Sequence, residues 1–246
     1  QGCTDSLSQQ VIVHPNPVAA FSINDSTQCL LGNSFDFTNL TTLSSGSFSS
    51  IWNFGDGLTS NTLNANHTYL FDSSWTVSLQ VVSDSGCRDT VTHTSITHPM
   101  PQSAFGIGDT GQCLFGNLIN YYDSSTIKSG TLSFTWYFGD GDSSLNQNPT
   151  HTYLTHGVKK VELWVRSQEM CTDSSSGYLE VFPMPVAKIS LSDTALCLRD
   201  NQFHYTDQSS LAYGYWTRNW DFGDLFQDTS LSGTHSYSVD SSYQVV

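Results

Sequence analysis

Trp52-Asn53-Phe54-Gly55-Asp56-Gly57 returns as Trp136-Tyr137-Phe138-Gly139-Asp140-Gly141, and again as Trp220-Asp221-Phe222-Gly223-Asp224-Leu225. The offset is 84 residues both times, and fifteen residues after each Trp comes His-x-Tyr: His67/Tyr69, His151/Tyr153 and His235/Tyr237. The cysteines keep the same period, as Cys3/Cys87/Cys171 and Cys29/Cys113/Cys197. A fixed internal period of this length sets the architecture before any other signal is read. An enzyme needs its active site once, so a feature copied into every unit serves the unit or the array.

Six of the seven prolines fall in three P-x-P segments at the same period, Pro15/Pro17, Pro99/Pro101 and Pro183/Pro185. Proline fixes φ and lacks a donor, so these segments read as short, stiff linkers at 15–17, 99–101 and 183–185. The expected domains are then 18–98, 102–182 and 186–246. Residues 1–14 would be the last strand of a preceding repeat. Position 246 is equivalent to 162, so the third repeat would lack its own last strand. Two explanations follow: a longer array, or exchange of residues 1–14 between copies.

Inside each unit the apolar period is two, the signature of half-buried strands. Ala19, Phe21 and Ile23 alternate, as do Phe35 and Phe37, Trp52 and Phe54, and Val77, Leu79 and Val81. The second unit matches with Ile119/Tyr121, Trp136/Phe138 and Val161/Leu163/Val165. No stretch sustains a helical period. About seven short strands in some 80 residues make an all-β, immunoglobulin-like sandwich.

The net charge is −14, with 8 Lys+Arg against 22 Asp+Glu, and residues 1–84 hold no Lys or Arg. A nucleic-acid partner needs a basic footprint, and an anionic membrane surface needs the same, so both classes are disfavoured. No apolar run is long enough to insert in a bilayer. Two cysteines per repeat, without CxxC or a Cys/His cluster, read as disulfides and hence as an oxidising, extracellular setting.

The W-x-F-G-D-G, H-x-Y and alternating Val/Leu strand together resemble the PKD (polycystic kidney disease) domain over the whole chain. The cysteines, P-x-P linkers and C-x-D make it similar to tandem repeats in large surface and secreted adhesin-like proteins of Bacteroidota. That resemblance implies an extended array acting as an extracellular structural or adhesive rod, filament segment or spacer. It implies no catalysis and no required cofactor. Its partners would be neighbouring repeats or further copies of itself, with surface glycans as a further candidate. The alternative is a carbohydrate-binding accessory array of a secreted hydrolase. Trp75, Trp164 and Trp216 share no repeat position, which weighs against that alternative. The third repeat departs from the motif at Leu225, where Gly57 and Gly141 stand in the others. Its turn is in question, because glycine supplies φ > 0 at such places.

Asp56, Asp140 and Asp224 are expected to bond backbone amides in the turn. The three His are expected at strand ends, each with its Tyr closing one end of the core around Trp52, Trp136 or Trp220. Asp25, Asp109 and Asp193 lie four residues before a cysteine, while Asp5, Asp89 and Asp173 lie two after one. They read as solvated acids, or as Ca²⁺ ligands at junctions, with Asp25 and Asp173 meeting there. In a sandwich of this topology Cys29 and Cys87 sit at opposite ends, roughly 20 Å apart, whereas a disulfide needs Cα atoms within about 7 Å. An end-to-end array would instead bring Cys29 to Cys171. The cross-junction pair is favoured and the in-domain pair Cys29–Cys87 comes second; the rule would carry Cys113 to a cysteine past residue 246. Ser6, Ser26, Thr90 and Thr194 match the pattern D-(S/T)-(A, L, I, V, M or T), which resembles the O-glycosylation acceptor of Bacteroidota.

Overall fold

The computed structural model describes residues 1–246 and contains strands but no helix. The first repeat carries eight strands: β1 (Phe21–Ile23), β2 (Thr27–Cys29), β3 (Phe35–Asn39), β4 (Phe48–Asn53), β5 (Thr59–Ser60), β6 (Ala65–His67), β7 (Ser73–Ser83) and β8 (Arg88–His98). One more strand forms than the alternation suggests, because β2 pairs on its own, parallel to β8, from Thr27↔Ile96 to Cys29↔His98. The sheets run β1-β3-β6 and β2-β8-β7-β4-β5. Phe21, Phe35 and Phe37 from one sheet pack with Trp52, Val77, Leu79 and Val81 from the other into one core. Period-two alternation drives this: from Val77 to Ser83 every second side chain of β7 is buried and those between are half-buried on the other face.

The second repeat repeats the set as β9 (Phe105–Ile107), β10 (Gly111–Cys113), β11 (Ile119–Asp123), β12 (Leu132–Tyr137), β13 (Ser143–Ser144), β14 (Thr150–His151), β15 (Gly157–Ser167) and β16 (Thr172–Phe182). Its sheets run β14-β11-β9 and β10-β16-β15-β12-β13, with β10 again parallel to β16. The third holds β17 (Ile189–Leu191), β18 (Phe203–Asp207), β19 (Trp220–Asp221), β20 (Gln227–Asp228) and β21 (Ser232–His235), in sheets β17-β18-β21 and β19-β20. Val246 exchanges two backbone hydrogen bonds with Asp221, at 2.9 and 3.0 Å. This is the place that Ser78 takes opposite Asn53 in the first repeat.

By contact the chain gathers into two compact units. One is Gln1–Ala104 with Ser124–Thr135 and Leu163–Ser175; the other is Phe105–Asp123, Trp136–Glu162 and Ser176–Val246. The division runs through the middle repeat, whereas the strands keep the 84-residue period. The first residue after each linker is tied down alike in all three repeats, by the bridges Val18↔Thr42, Gln102↔Thr126 and Val186↔Ser210.

Candidate functional site

Two places carry the polar chemistry: the turn after each Trp strand, and the meeting of the first two repeats. In the first repeat, buried Trp52 donates its Nε1–H to the Thr62 carbonyl at 3.0 Å. The chain then turns at Gly55, whose φ is 85°. A Cβ there would lie 2.7 Å from the Thr76 carbonyl oxygen, so only glycine lets the backbones approach this closely. Asp56 Oδ1 accepts the Leu58 amide at 3.0 Å, the expected turn bond. Its Oδ2 does something more, lying 2.7 Å from His67 Nε2. The His67 ring stacks on Phe54 at 4.2 Å, and the Tyr69 hydroxyl donates to the Phe54 carbonyl at 2.8 Å.

The other repeats reproduce this hook. His151 meets Asp140 at 2.7 Å and His235 meets Asp224 at 2.8 Å. Tyr153 and Tyr237 each donate to the Phe138 and Phe222 carbonyls at 2.9 Å. Trp136 and Trp220 donate to the Asn146 and Ser230 carbonyls. Burial pushes the Asp56 carboxyl up; the Leu58 amide and the His67 ring outweigh it and hold it below the usual carboxylate range. Asp140 and Asp224 go the same way for the same reasons. Burial raises the Tyr69 hydroxyl, so it stays protonated and can donate.

Leu225 keeps the turn open without glycine. Its φ is 76°, against 95° at Gly57 and 104° at Gly141, and its side chain is fully exposed. The doubt about the third turn resolves as strain accepted at one residue.

The sequence reading treated Asp and His separately and missed their bond, although their spacing of 11 residues is constant. It also missed Asn33, which accepts the Tyr69 amide at 2.8 Å and donates to the Tyr69 carbonyl at 2.9 Å. Asn117 and Asn201 do the same for Tyr153 and Tyr237. In the second repeat, ligand atoms of Asp140, Asp142 and His151 lie within 4.8 Å of one another, a group with metal-ligand chemistry. Asp142 stands where Leu58 and Phe226 stand in the other repeats. His151 already spends Nε2 on Asp140, the bond all three repeats share.

At the first junction the Cys29–Cys171 disulfide is closed, with Cα atoms 5.6 Å apart across 142 residues of sequence. The favoured cross-junction pairing is the one formed; Cys87 is half-buried, and Cys3, Cys113 and Cys197 are exposed, all four as free thiols. Lys128 and Asp72 add an ion pair at 2.7 Å across the same two repeats. At the second junction His156 stands at the position of Asp72, and Tyr213, one residue past the position of Lys128, lies against its ring at 5.6 Å and donates to the Val181 carbonyl at 3.2 Å.

Four of the acids weighed as Ca²⁺ ligands each accept a backbone amide. Asp25 accepts the Thr27 amide and Asp109 the Gly111 amide, each at 3.0 Å. Asp173 accepts the Ser103 amide at 2.8 Å, as Asp89 does the Ala19 amide. Asp193 lines an open cavity in the third repeat. Ser6, Ser26, Thr90 and Thr194 are all exposed. Of the three Trp weighed as a glycan platform, Trp75 stacks on Tyr69 at 4.6 Å and donates to Thr97. Trp164 is half-exposed on β15, and Trp216 lies in a loop.

These features define a protein of repeated immunoglobulin-like β-sandwiches, each braced by the same Asp-His-Tyr hook. The profile of the PKD domain matches residues 14–97 and 118–181, more than half of the chain, and the chain belongs to that family. Among solved structures it is similar to the PKD1 domain of Vibrio anguillarum Epp, at 29% identity over 35% of this chain and 96% of that one, with a TM-score of 0.31. It is similar also to the PKD1 domain of the Vibrio cholerae metalloprotease PrtV, at 31% identity over 33% and 96%, with a TM-score of 0.30. An amphioxus IgVJ-C2 molecule matches at 14% identity over 62% and 98%, with a TM-score of 0.33. No helix is long and apolar enough to cross a membrane.

Proposed function

We propose that the chain is a non-catalytic spacer and assembly segment of an extracellular structural or adhesive protein. The observation that carries this reading is the Cys29–Cys171 bridge, which ties one repeat to the next rather than closing within a repeat. A bond placed there limits motion between repeats and adds nothing to the core of either. PKD domains are extracellular immunoglobulin-like modules, and a disulfide belongs to an oxidising compartment, which supports the location. The hook supports the absence of catalysis, because its carboxylate and imidazole serve the same internal bonds in three copies. Partners in this reading are neighbouring repeats or further copies.

Electron micrographs of the chain before and after reduction test the proposal. Straight, extended particles that bend on reduction are expected. Particles equally flexible in both states would overturn it. Glycan-array binding reads the competing carbohydrate function directly, and calcium titration reads whether Asp25 and Asp173 do more than hold backbone amides.

A further inference from the structure

The turn after the second Trp strand differs from its counterparts by one acid. Asp142 stands where the first repeat has Leu58 and the third has Phe226. Its carbonyl accepts the Phe138 amide and its own amide donates to Asp140 Oδ1, each at 3.2 Å, so its place in the turn is fixed. Its carboxylate is exposed, has no hydrogen-bond or ion-pair partner, and lies within 4.8 Å of the ligand atoms of Asp140 and His151. Two carboxylates this close repel each other. The other repeats avoid that cost with an apolar side chain at the same place. No basic side chain relieves it in the second, because the lysine and arginine ion pairs of the chain are made with Asp72, Glu162 and Asp207.

We infer that this turn of the second repeat is a binding site for a divalent transition-metal ion of the zinc type, held by Asp140, Asp142 and His151. One imidazole nitrogen and two carboxylate oxygens are donors that zinc takes in a tetrahedron, with the fourth place open to water. Ca²⁺ suits the set poorly, since it takes six or more oxygens and no nitrogen. The imidazole is already oriented. Its ring stacks on Phe138 at 4.2 Å and meets Tyr153 edge-on at 4.7 Å, and its side chain is 11% exposed. The ion takes the place of the hydrogen between His151 Nε2 and Asp140 Oδ2, which stand 2.7 Å apart. Two zinc ligands in a tetrahedron stand roughly 3.4 Å apart. The pair therefore opens slightly, and the unbonded Asp142 carboxylate swings in to close the site. Asp140 keeps its other oxygen on the Asp142 amide throughout. In the first and third repeats the same pair offers two ligands and no third, so a proton holds it better than a metal does.

The test is a titration of the metal-free chain with Zn²⁺, with the imidazole nitrogens followed in long-range proton–nitrogen correlation spectra. Nε2 of His151 is expected to shift as one equivalent binds, while His67 and His235 stay in place. Asp142→Leu carries the residue that the first repeat has, so the turn keeps its Asp–His pair. It should weaken the response at His151 at least about tenfold, since even an outer-shell partner of a metal ligand is worth that much. Leu58→Asp in the first repeat should create a second site, read as a new shift at His67. Ca²⁺ at the same concentrations should move none of the three imidazoles. Zn²⁺ that leaves His151 unmoved, or that binds it equally well in Asp142→Leu, would overturn the site. So would an equal response at His67 and His235 in the parent chain, a Leu58→Asp chain whose His67 stays silent, or a shift of His151 by Ca²⁺.

Discussion

Replacing Leu225 by glycine should make the third repeat more stable, although it removes a large apolar side chain. The side chain is 100% exposed, so its loss forfeits no burial. The backbone at φ 76° is what matters. A left-handed conformation costs a residue with a Cβ about 1–2 kcal/mol, and glycine's extra freedom in the unfolded chain returns about 0.5–1 kcal/mol of that. The net gain is about 0.7 kcal/mol, which corresponds to roughly 3–6 °C in the melting of a domain this small. The mirror experiment is Gly57→Leu in the first repeat. Nothing lies within 4 Å of a Cβ built at Gly57, so that substitution tests the backbone alone. Hydrogen exchange followed by mass spectrometry on the intact chain reads both. Peptides spanning 220–237 should exchange about threefold more slowly in Leu225→Gly, and those spanning 52–69 about threefold faster in Gly57→Leu. If exchange at 220–237 is unchanged or faster, the turn is not strained and the reasoning fails.

Gly55→Ala and Gly139→Ala should be far more damaging, by about 2–4 kcal/mol, because a Cβ there meets the backbone of Thr76 or Lys160 as well as a positive φ; urea melts of the two variants check this. Cys29→Ser should cost the first two repeats about 2–5 kcal/mol, since the chain-entropy model gives its upper end for a loop this long; urea midpoints of oxidised variant and parent compare directly. The hook should make the fold acid-sensitive. Asp56, Asp140 and Asp224 are held below the ordinary value of 3.8 in the folded chain, so their contribution is complete above that pH. It is lost as pH falls through their lower folded values. Stability measured against pH should therefore show no loss from these carboxylates between neutral pH and about 5 and fall below about 4, and Asp56→Asn should blunt the fall for the first repeat.

The strands and the core were legible because burial in a sandwich follows a period of two, which one sequence shows without a partner. Phe35, Phe37, Trp52, Val77, Leu79 and Val81 are all buried where the alternation puts them. The cross-junction disulfide was legible because the two cysteines of a repeat fall at opposite ends of a sandwich. The polar braces were not. Asn33 reaches Tyr69 across 36 residues, and Asp89 reaches Ala19 across 70. Neither spacing corresponds to a local turn, so propensity is blind to it, and only the constancy of these spacings between repeats could have exposed them. The separate pairing of β2 was hidden for a different reason. Thr27-Gln28-Cys29 is too short and too polar to show a period, and it becomes a strand because the edge of β8 lies beside it.

Differences between the repeats mark where structure imposes least. The Tyr of each hook is covered by a different residue: Trp75 stacks on Tyr69 at 4.6 Å, Lys159 lies over Tyr153 at 5.5 Å, and Tyr243 stacks on Tyr237 at 3.9 Å. A ring face accepts a flat aromatic or a cation almost equally well, so the fold tolerates all three. A hydrogen bond to a buried carbonyl admits no such latitude, and the Tyr hydroxyl, the Asn amide and the Asp–His pair recur unchanged. The sandwich thus fixes the parts that hold each repeat and the seats that join one repeat to the next. What it leaves free is the outer face, where the second repeat carries exposed Tyr137 and Tyr178 at the places of Asn53 and Thr94 in the first. A function peculiar to one repeat has to draw on residues that differ in this way, because the Asp–His pair, the Tyr hydroxyl and the Asn brace common to the three are already engaged in holding each repeat together.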